Sequence, residues 1–223
     1  MIGPKAITLS CYVVLPYMNI ASYHREIIAY NGGQKMDNKH GIIVFGASGS
    51  GCTTMGRELA RLLNFKHFDT DDYFFVQNNP PLAMKERPLD ERISLLRPLV
   101  QRGNFVLSGC IREWGGALDS LLSMAVFLLT PTNIRIERVE NRELNRNGER
   151  IKAGGEFYAQ HRKFIDYIAT YDNGGMESRS LASQEAWASN LTCPVVRVNG
   201  ALDLHTNTKD IIAQFYTHTA VKA

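Results

Sequence analysis

GASGSGCTT, residues 46–54, decides how the rest of the chain is read. Gly46, Gly49 and Gly51 let the backbone curl until successive N–H groups point inward at an anion. The stretch follows GIIVFG (41–46), a short β-branched apolar run of the kind found in a strand buried in a parallel sheet. It precedes TTMGRELARLL, in which Met55, Leu59, Leu62 and Leu63 share one helical face. Strand, glycine-rich turn and helix, in that order, are the setting a phosphate-binding loop requires. The helix N-terminus adds its partial positive charge. Gly46, Ser48, Gly49, Ser50, Gly51, Cys52, Thr53 and Thr54 are therefore the candidate nucleotide-binding residues. The plainer alternative is a glycine-rich turn with no ligand. Thr53 stands where a hydroxyl would ligate a magnesium ion bridging the β- and γ-phosphates.

The lysine usual in such a loop is missing, and Cys52 stands in its place. Lysine there is a point charge on the transferring phosphates. Losing one preorganised stabilising group costs about 100- to 1000-fold in rate. The backbone cradle and the threonine hydroxyl do not depend on it, so the substitution argues against fast chemistry more than against binding. A thiol at a helix N-terminus is either acidified and reactive or an inert small residue, and the inert reading is preferred.

Composition narrows the class. The 223 residues suffice for one sizeable domain, and 44% hydrophobic with 21% charged residues is ordinary for a globular chain. A formal charge of +3 gives no case for nucleic acid or an anionic membrane as partner. Cys11, Cys52, Cys110 and Cys193 form no CxxC pair and no zinc-spaced cluster, which favours a reducing compartment, the cytoplasm, and no structural metal. No apolar run reaches the length of a membrane span. AITLSCYVVLPYMNI, near the N-terminus, weakly imitates a secretory signal, but Pro16 and its polar residues dilute it and no small-residue cleavage site follows. Residues 1–38 are expected to be a poorly ordered extension, or the product of a start called upstream of Met36. The domain is expected over 39–223.

Further along, FKHFDT, NFVLSG (104–109), AVFLLTP (125–131) and CPVVRVNG (193–200) read as strands. LDERISLLRPLVQRG, TNIRIERVENRELNR, GGEFYAQHRKFIDYIATY and DIIAQFYTH read as helices, the first with Leu89, Ile93, Leu96 and Val100 on one side and Pro98 set to kink or shorten it. Alternating strands and helices predict a parallel sheet covered on both faces, with ligands at the carboxyl ends of its strands.

GASGSGCTTMGRELARLLNFKHFDTDD resembles the opening of the shikimate kinase and adenylate kinase group of P-loop small-molecule kinases. The similar order of elements spans about residues 41 to 218. The resemblance implies a three-layer α/β fold with a five-stranded parallel sheet, ATP (or GTP) with Mg²⁺, and a mobile helical lid carrying arginines. In kinases of this kind the first aspartate of a D-x-D after the second strand holds magnesium through water, and the second receives the acceptor. That match makes Asp69 the metal-side group and Asp71 the residue that orients or deprotonates the acceptor. An extended chain would project both side chains to one side. The alternative is a polar turn with an aspartate capping a short helix, which Asp72 fits best.

KERPLDER falls in the insertion that closes over the acceptor in such kinases, so Arg87 and Arg92 are candidate substrate clamps. Gly109, after the third strand, would let a substrate approach the backbone, with Arg112 a further basic candidate and Trp114 read as packing. Arg135, Arg138, Arg142 and Arg146 share one helical face. Five arginines without a lysine in IRIERVENRELNRNGER suit phosphate, although Glu–Arg pairing on a solvated helix is the alternative. ERVENRE also resembles the helix leading into an adenylate kinase lid, which puts Arg138 near the base and Arg142 on the phosphates. The leading expectation is ATP-dependent phosphoryl transfer to a small molecule. A nucleotide-binding sensor without transferase activity and a slow NTP hydrolase are the alternatives. Acceptor and oligomeric state stay open.

Overall fold

The computed structural model describes residues 39–76, 85–114 and 116–220; the expected extension, 1–38, lies outside them. Five strands, β1 (Gly41–Gly46), β2 (Lys66–Asp69), β3 (Phe105–Ser108), β4 (Met124–Leu129) and β5 (Val195–Asn199), form one all-parallel sheet in the order β2-β3-β1-β4-β5. The order places β1 in the middle. β3 and β2 lie to one side of it and β4 and β5 to the other, so the connections diverge at β1 and a crevice opens at its carboxyl end, where ligands of open sheets bind.

β1, β3 and most of β4 are buried on both faces, which is why they read as unbroken apolar runs. Their side chains alternate between two cores. Ile43, Phe45, Leu107 and Phe127 meet Leu96 and Val100 of α3 (Leu89–Val100), Trp114, and Ala188 of α6 (Leu181–Ser189). Phe45 stacks on Phe127 at 4.5 Å and takes the edge of Trp187 at 4.9 Å. On the opposite face lie α1 (Cys52–Leu63), burying Met55, Leu59, Leu62 and Leu63 as expected, and α7 (Leu204–Ala220).

α4 (Thr132–Asn147), the 3-10 turn Gly148–Ile151 and α5 (Tyr158–Thr170) form the helical lid, with Val139, Ile165 and Ile168 as its own small core. Pro98 sits inside α3, which ends two residues later; Leu89 is exposed at the helix start, so the apolar stripe is shorter than expected. α6 was not anticipated. It begins with a reciprocal cap, Ser180 Oγ accepting from Ser183 N while Ser183 Oγ accepts from Ser180 N. Among the described residues no helix is long and apolar enough to cross a membrane.

Candidate nucleotide site

The loop leaves β1 at Gly46 and turns into α1 at Gly51, with Gly49 and Gly51 both at positive φ (83° and 103°). No side chain caps α1. The N–H groups of its first turn therefore stay available to an anion. The loop's carbonyls are tied off elsewhere. Ser50 O accepts from Thr130 Oγ1 and from Arg138 Nη1, both at 3.2 Å, and Gly46 O accepts from Arg179 Nη2 at 3.0 Å. With carbonyls held outward, the loop presents donors to its interior, the polarity a phosphate needs. Ser48 is partly open and Thr54 exposed, whereas Ser50 is buried with its hydroxyl 3.1 Å from Cys52 Sγ.

Burial pushes the Cys52 thiol up to about 11, against the opposing pulls of the Ser50 hydrogen bond and the Arg179 charge. Near neutral pH the group is therefore a small, uncharged side chain.

Thr53 Oγ1 donates to Asp69 Oδ2 at 2.9 Å, which joins the first turn of α1 to the carboxyl end of β2. Asp69 and Asp71 do come together, but not along an extended chain. Thr70 has helical φ and ψ and starts the short helix α2 (Asp71–Phe74); Asp69 Oδ1 then reaches forward to accept from Asp71 N at 3.2 Å. The turn, rather than strand alternation, sets their relation. Asp71 is raised above the ordinary aspartate range, first by desolvation among the surrounding walls and then by the Asp69 charge; Arg179 and Arg142 pull it back. Among the described residues no cluster of three or more His, Cys, Asp or Glu can cage a metal ion. The Thr53 hydroxyl and Asp69 carboxylate are hard oxygen donors of the type Mg²⁺ takes when water and phosphate complete its shell.

The arginines part company. Arg92 is buried; its guanidinium lies 3.6 Å over the Phe74 ring, Nε donates to Arg87 O and Nη2 to Glu86. It braces the segment after α2 and is not displayed as a substrate clamp. Arg87 binds Glu91 at 2.6 Å yet keeps a buried Nε without a partner. The space that a Cβ would take at Gly109 is filled by the Thr70 hydroxyl, so the missing side chain makes room for Thr70 rather than for a substrate. On α4 the expected stripe divides. Arg135 is fully buried, donating to Thr130 O, Ile168 O, Thr132 Oγ1 and Asp172 Oδ2, and is structural. Arg138 reaches the loop, while Arg142 is exposed and donates to Glu143 at 2.9 Å.

A cavity of about 480 Å³ opens beside the loop, between Ala47, Thr130, Pro131, Tyr171 and Asn199, within the range of small-ligand pockets. Residues 42–159, more than half of the chain, match the model of the AAA domain. The chain belongs to this family. A relative from Bacillus subtilis strain 168, the uncharacterized protein YqaC, is 39% identical over 161 residues, 72% of this chain and 88% of that protein. Among solved structures, shikimate kinase from Bacteroides thetaiotaomicron superposes with a TM-score of 0.51 at 15% identity, over 80% of this chain and 99% of that one. Deoxyadenosine kinase from M. mycoides with bound dATP gives 0.47 at 16%, over 79% and 99%. At such identity the likeness speaks for the fold alone. It is a P-loop kinase fold, and a P-loop domain implies nucleotide binding.

From the sequence, Tyr171, Asp172 and Arg179 are expected only to support the lid hinge; the place of Arg179 at the loop is not foreseen. Arg179 lies beyond the matched stretch, just ahead of α6, yet its guanidinium stands at the root of the loop. SRSLAS carries no motif that could have announced it. Gln184, which donates to the same Gly46 carbonyl at 3.4 Å and accepts from Tyr171 Oη at 2.5 Å, is equally silent in sequence.

Proposed function

We propose that the protein transfers the terminal phosphoryl group of ATP (or GTP) to an oxygen of a small-molecule acceptor. The observation that carries this reading is the Thr53–Asp69 hydrogen bond beneath the loop, with Asp71 one turn further on in the same crevice. A second carboxylate there, held above its ordinary range, supports transfer because it can take a proton from an acceptor. In this reading Gly46, Ser48, Gly49, Ser50, Gly51, Thr53 and Thr54 cradle the phosphates and Arg138 adds a donor at the loop's rim. Thr53 and Asp69 would hold Mg²⁺, which neutralises charge between the β- and γ-phosphates when bound. Asp71 orients the acceptor and takes its proton. Arg142, once it leaves Glu143, meets charge that develops in the transition state. Arg87, with its unpartnered Nε, remains the acceptor-side candidate of the insertion. The free thiols of Cys52 and Cys110 suit the reducing cytoplasm, where ATP is abundant.

A nucleotide-binding sensor is the second reading, favoured by the uncharged Cys52. A phosphoryl-transfer screen over small hydroxyl and phosphate acceptors separates the two, with the wild type, Cys52→Lys and Arg142→Ala side by side. Arg142→Ala is expected to lower turnover on the order of 100-fold with a smaller effect on ATP affinity. Cys52→Lys should hold or raise turnover. ATP binding without turnover in all three would favour the sensor; no ATP or GTP binding would end both readings.

A further inference from the structure

The crevice holds a cation that the chemistry above does not use. Arg179 Nη2 donates to Gly46 O at the first residue of the loop, while its Nε is buried without a hydrogen-bond partner. Its charge acts on Cys52, Cys110, Asp71, Tyr167 and Tyr171, groups of four different segments that converge on the crevice. Five other arginines around the site rest on carboxylates: Arg87 on Glu91, Arg92 on Glu86, Arg112 on Glu113, Arg135 on Asp172, Arg142 on Glu143. Among the described residues neither Arg138 nor Arg179 has such an ion pair, and of the two Arg179 alone keeps a buried Nε without a hydrogen-bond partner. A partly buried guanidinium that feels the Asp71 charge but makes no ion-pair contact with it is stabilised when a further anion completes it. The backbone around it is fixed, by the reciprocal Ser180–Ser183 cap and by Ser183 Oγ donating to Ser178 O at 2.7 Å. The guanidinium is thus positioned before any ligand arrives.

We infer that Arg179 supplies, from a distant part of the chain, the positive charge that the loop lacks at position 52, and that it contacts the transferring phosphoryl group. This rests on the kinase reading above. The acceptor oxygen bonds to the γ-phosphorus as the bond from that phosphorus to the β–γ bridging oxygen breaks. The acceptor's proton goes to Asp71, the electron pair stays on the bridging oxygen, and Arg179 offsets the charge growing there. Cys52 keeps the space above the first turn of α1 free of a second cation, and the thiol adds no charge of its own.

The test is a charge relocation in the full chain, read by titration of a fluorescent ATP analogue with Mg²⁺ and by thermal melting. Arg179→Gln is expected to weaken binding about tenfold to hundredfold, the loss of a charge-assisted contact. Adding Cys52→Lys to Arg179→Gln should recover most of that loss, while Cys52→Lys alone should change affinity less than about threefold, because one cation already occupies the site. Arg138→Gln is the control; its loss should not be recovered by Cys52→Lys. Should Arg179→Gln fail to fold, Arg179→Lys replaces it and is expected to bind within about threefold of the wild type, since the charge is kept. The inference is overturned if wild type binds but Arg179→Gln binds equally well. It is also overturned if Cys52→Lys recovers Arg138→Gln instead, or if Arg179→Lys folds and loses binding that Cys52→Lys does not restore. A wild type that binds neither ATP nor GTP removes the kinase reading, and this one with it.

Discussion

Gly49 and Gly51 look equivalent in the sequence, but alanine is expected to cost very different amounts at the two positions. Both have positive φ, where an L-residue loses about 1–2 kcal/mol. A Cβ on Gly51 would meet only Arg138 Nη1, at an ordinary 3.7 Å. On Gly49 it would lie 2.5 Å from Arg135 O and 3.0 Å from Val139 Cγ2. That carbonyl belongs to α4, held by a buried arginine with four hydrogen-bond partners, so it cannot retreat without moving the helix. Overpacking of this kind adds about 1–3 kcal/mol. Gly51→Ala should then cost about 1–2 kcal/mol and Gly49→Ala about 2–5 kcal/mol. At about 2–4 °C per kcal/mol for a domain of this size, melting falls by roughly 2–8 °C and roughly 4–20 °C. Circular dichroism melts of the two variants without nucleotide measure this. Equal melting temperatures, or a lower one for Gly51→Ala, would refute the placement of α4 against the loop.

If Asp71 is the base, turnover is lost as pH falls through its raised pKa. Asp72→Asn, which removes a neighbouring negative charge, should move that acid limb downward, and Arg142→Ala should move it upward; a limb indifferent to both would remove Asp71 from the role. Burial holds the His67 imidazole below its usual range, with Nε2 2.9 Å from Ser108 Oγ. Its folded-state pKa is depressed, so its contribution to stability is complete above pH about 6.5 and is lost as pH falls through the folded value. Urea midpoints should drop over that window, and less steeply in His67→Gln. With a pKa of about 11, Cys52 is about one part in a thousand thiolate at pH 8. Iodoacetamide should label it on the order of 100-fold more slowly than an unperturbed cysteine, as mass spectrometry of the tryptic peptide would report.

Strands buried on both faces were legible because GIIVFG and AVFLLT have no alternation to confuse with a helix of similar length. α6 was not, since its apolar residues are spread around the helix and its cap uses Ser183 where the common signature has Glu or Gln. At the site, spacing found Thr53, Asp69 and Asp71 because local turns assemble them. It could not rank the arginines. Arg92 and Arg135 look like anion ligands in a string of charges, and only their burial against Phe74 and Tyr171 shows them as structural. Arg179 could be named only as a hinge candidate, and its place at the loop was beyond reach for the opposite reason: a single residue, in a stretch without periodicity, meets the loop through tertiary contact alone.

The centre of the sheet is also its oldest part. β1 is made before every strand that borders it, and the groups that hold its last carbonyl, on Arg179 and Gln184, follow 133 and 138 residues later. At about 5–20 residues per second, a ribosome takes roughly 7–27 s to travel from Gly46 to Arg179. Until β4 is made, part-way through that interval, GIIVFG is an apolar strand with at least one edge open, the form in which nascent chains pair with the wrong neighbour. Slow codons between β1 and β4 would lengthen that exposure, whereas slow codons after β4 would find both edges of β1 already covered.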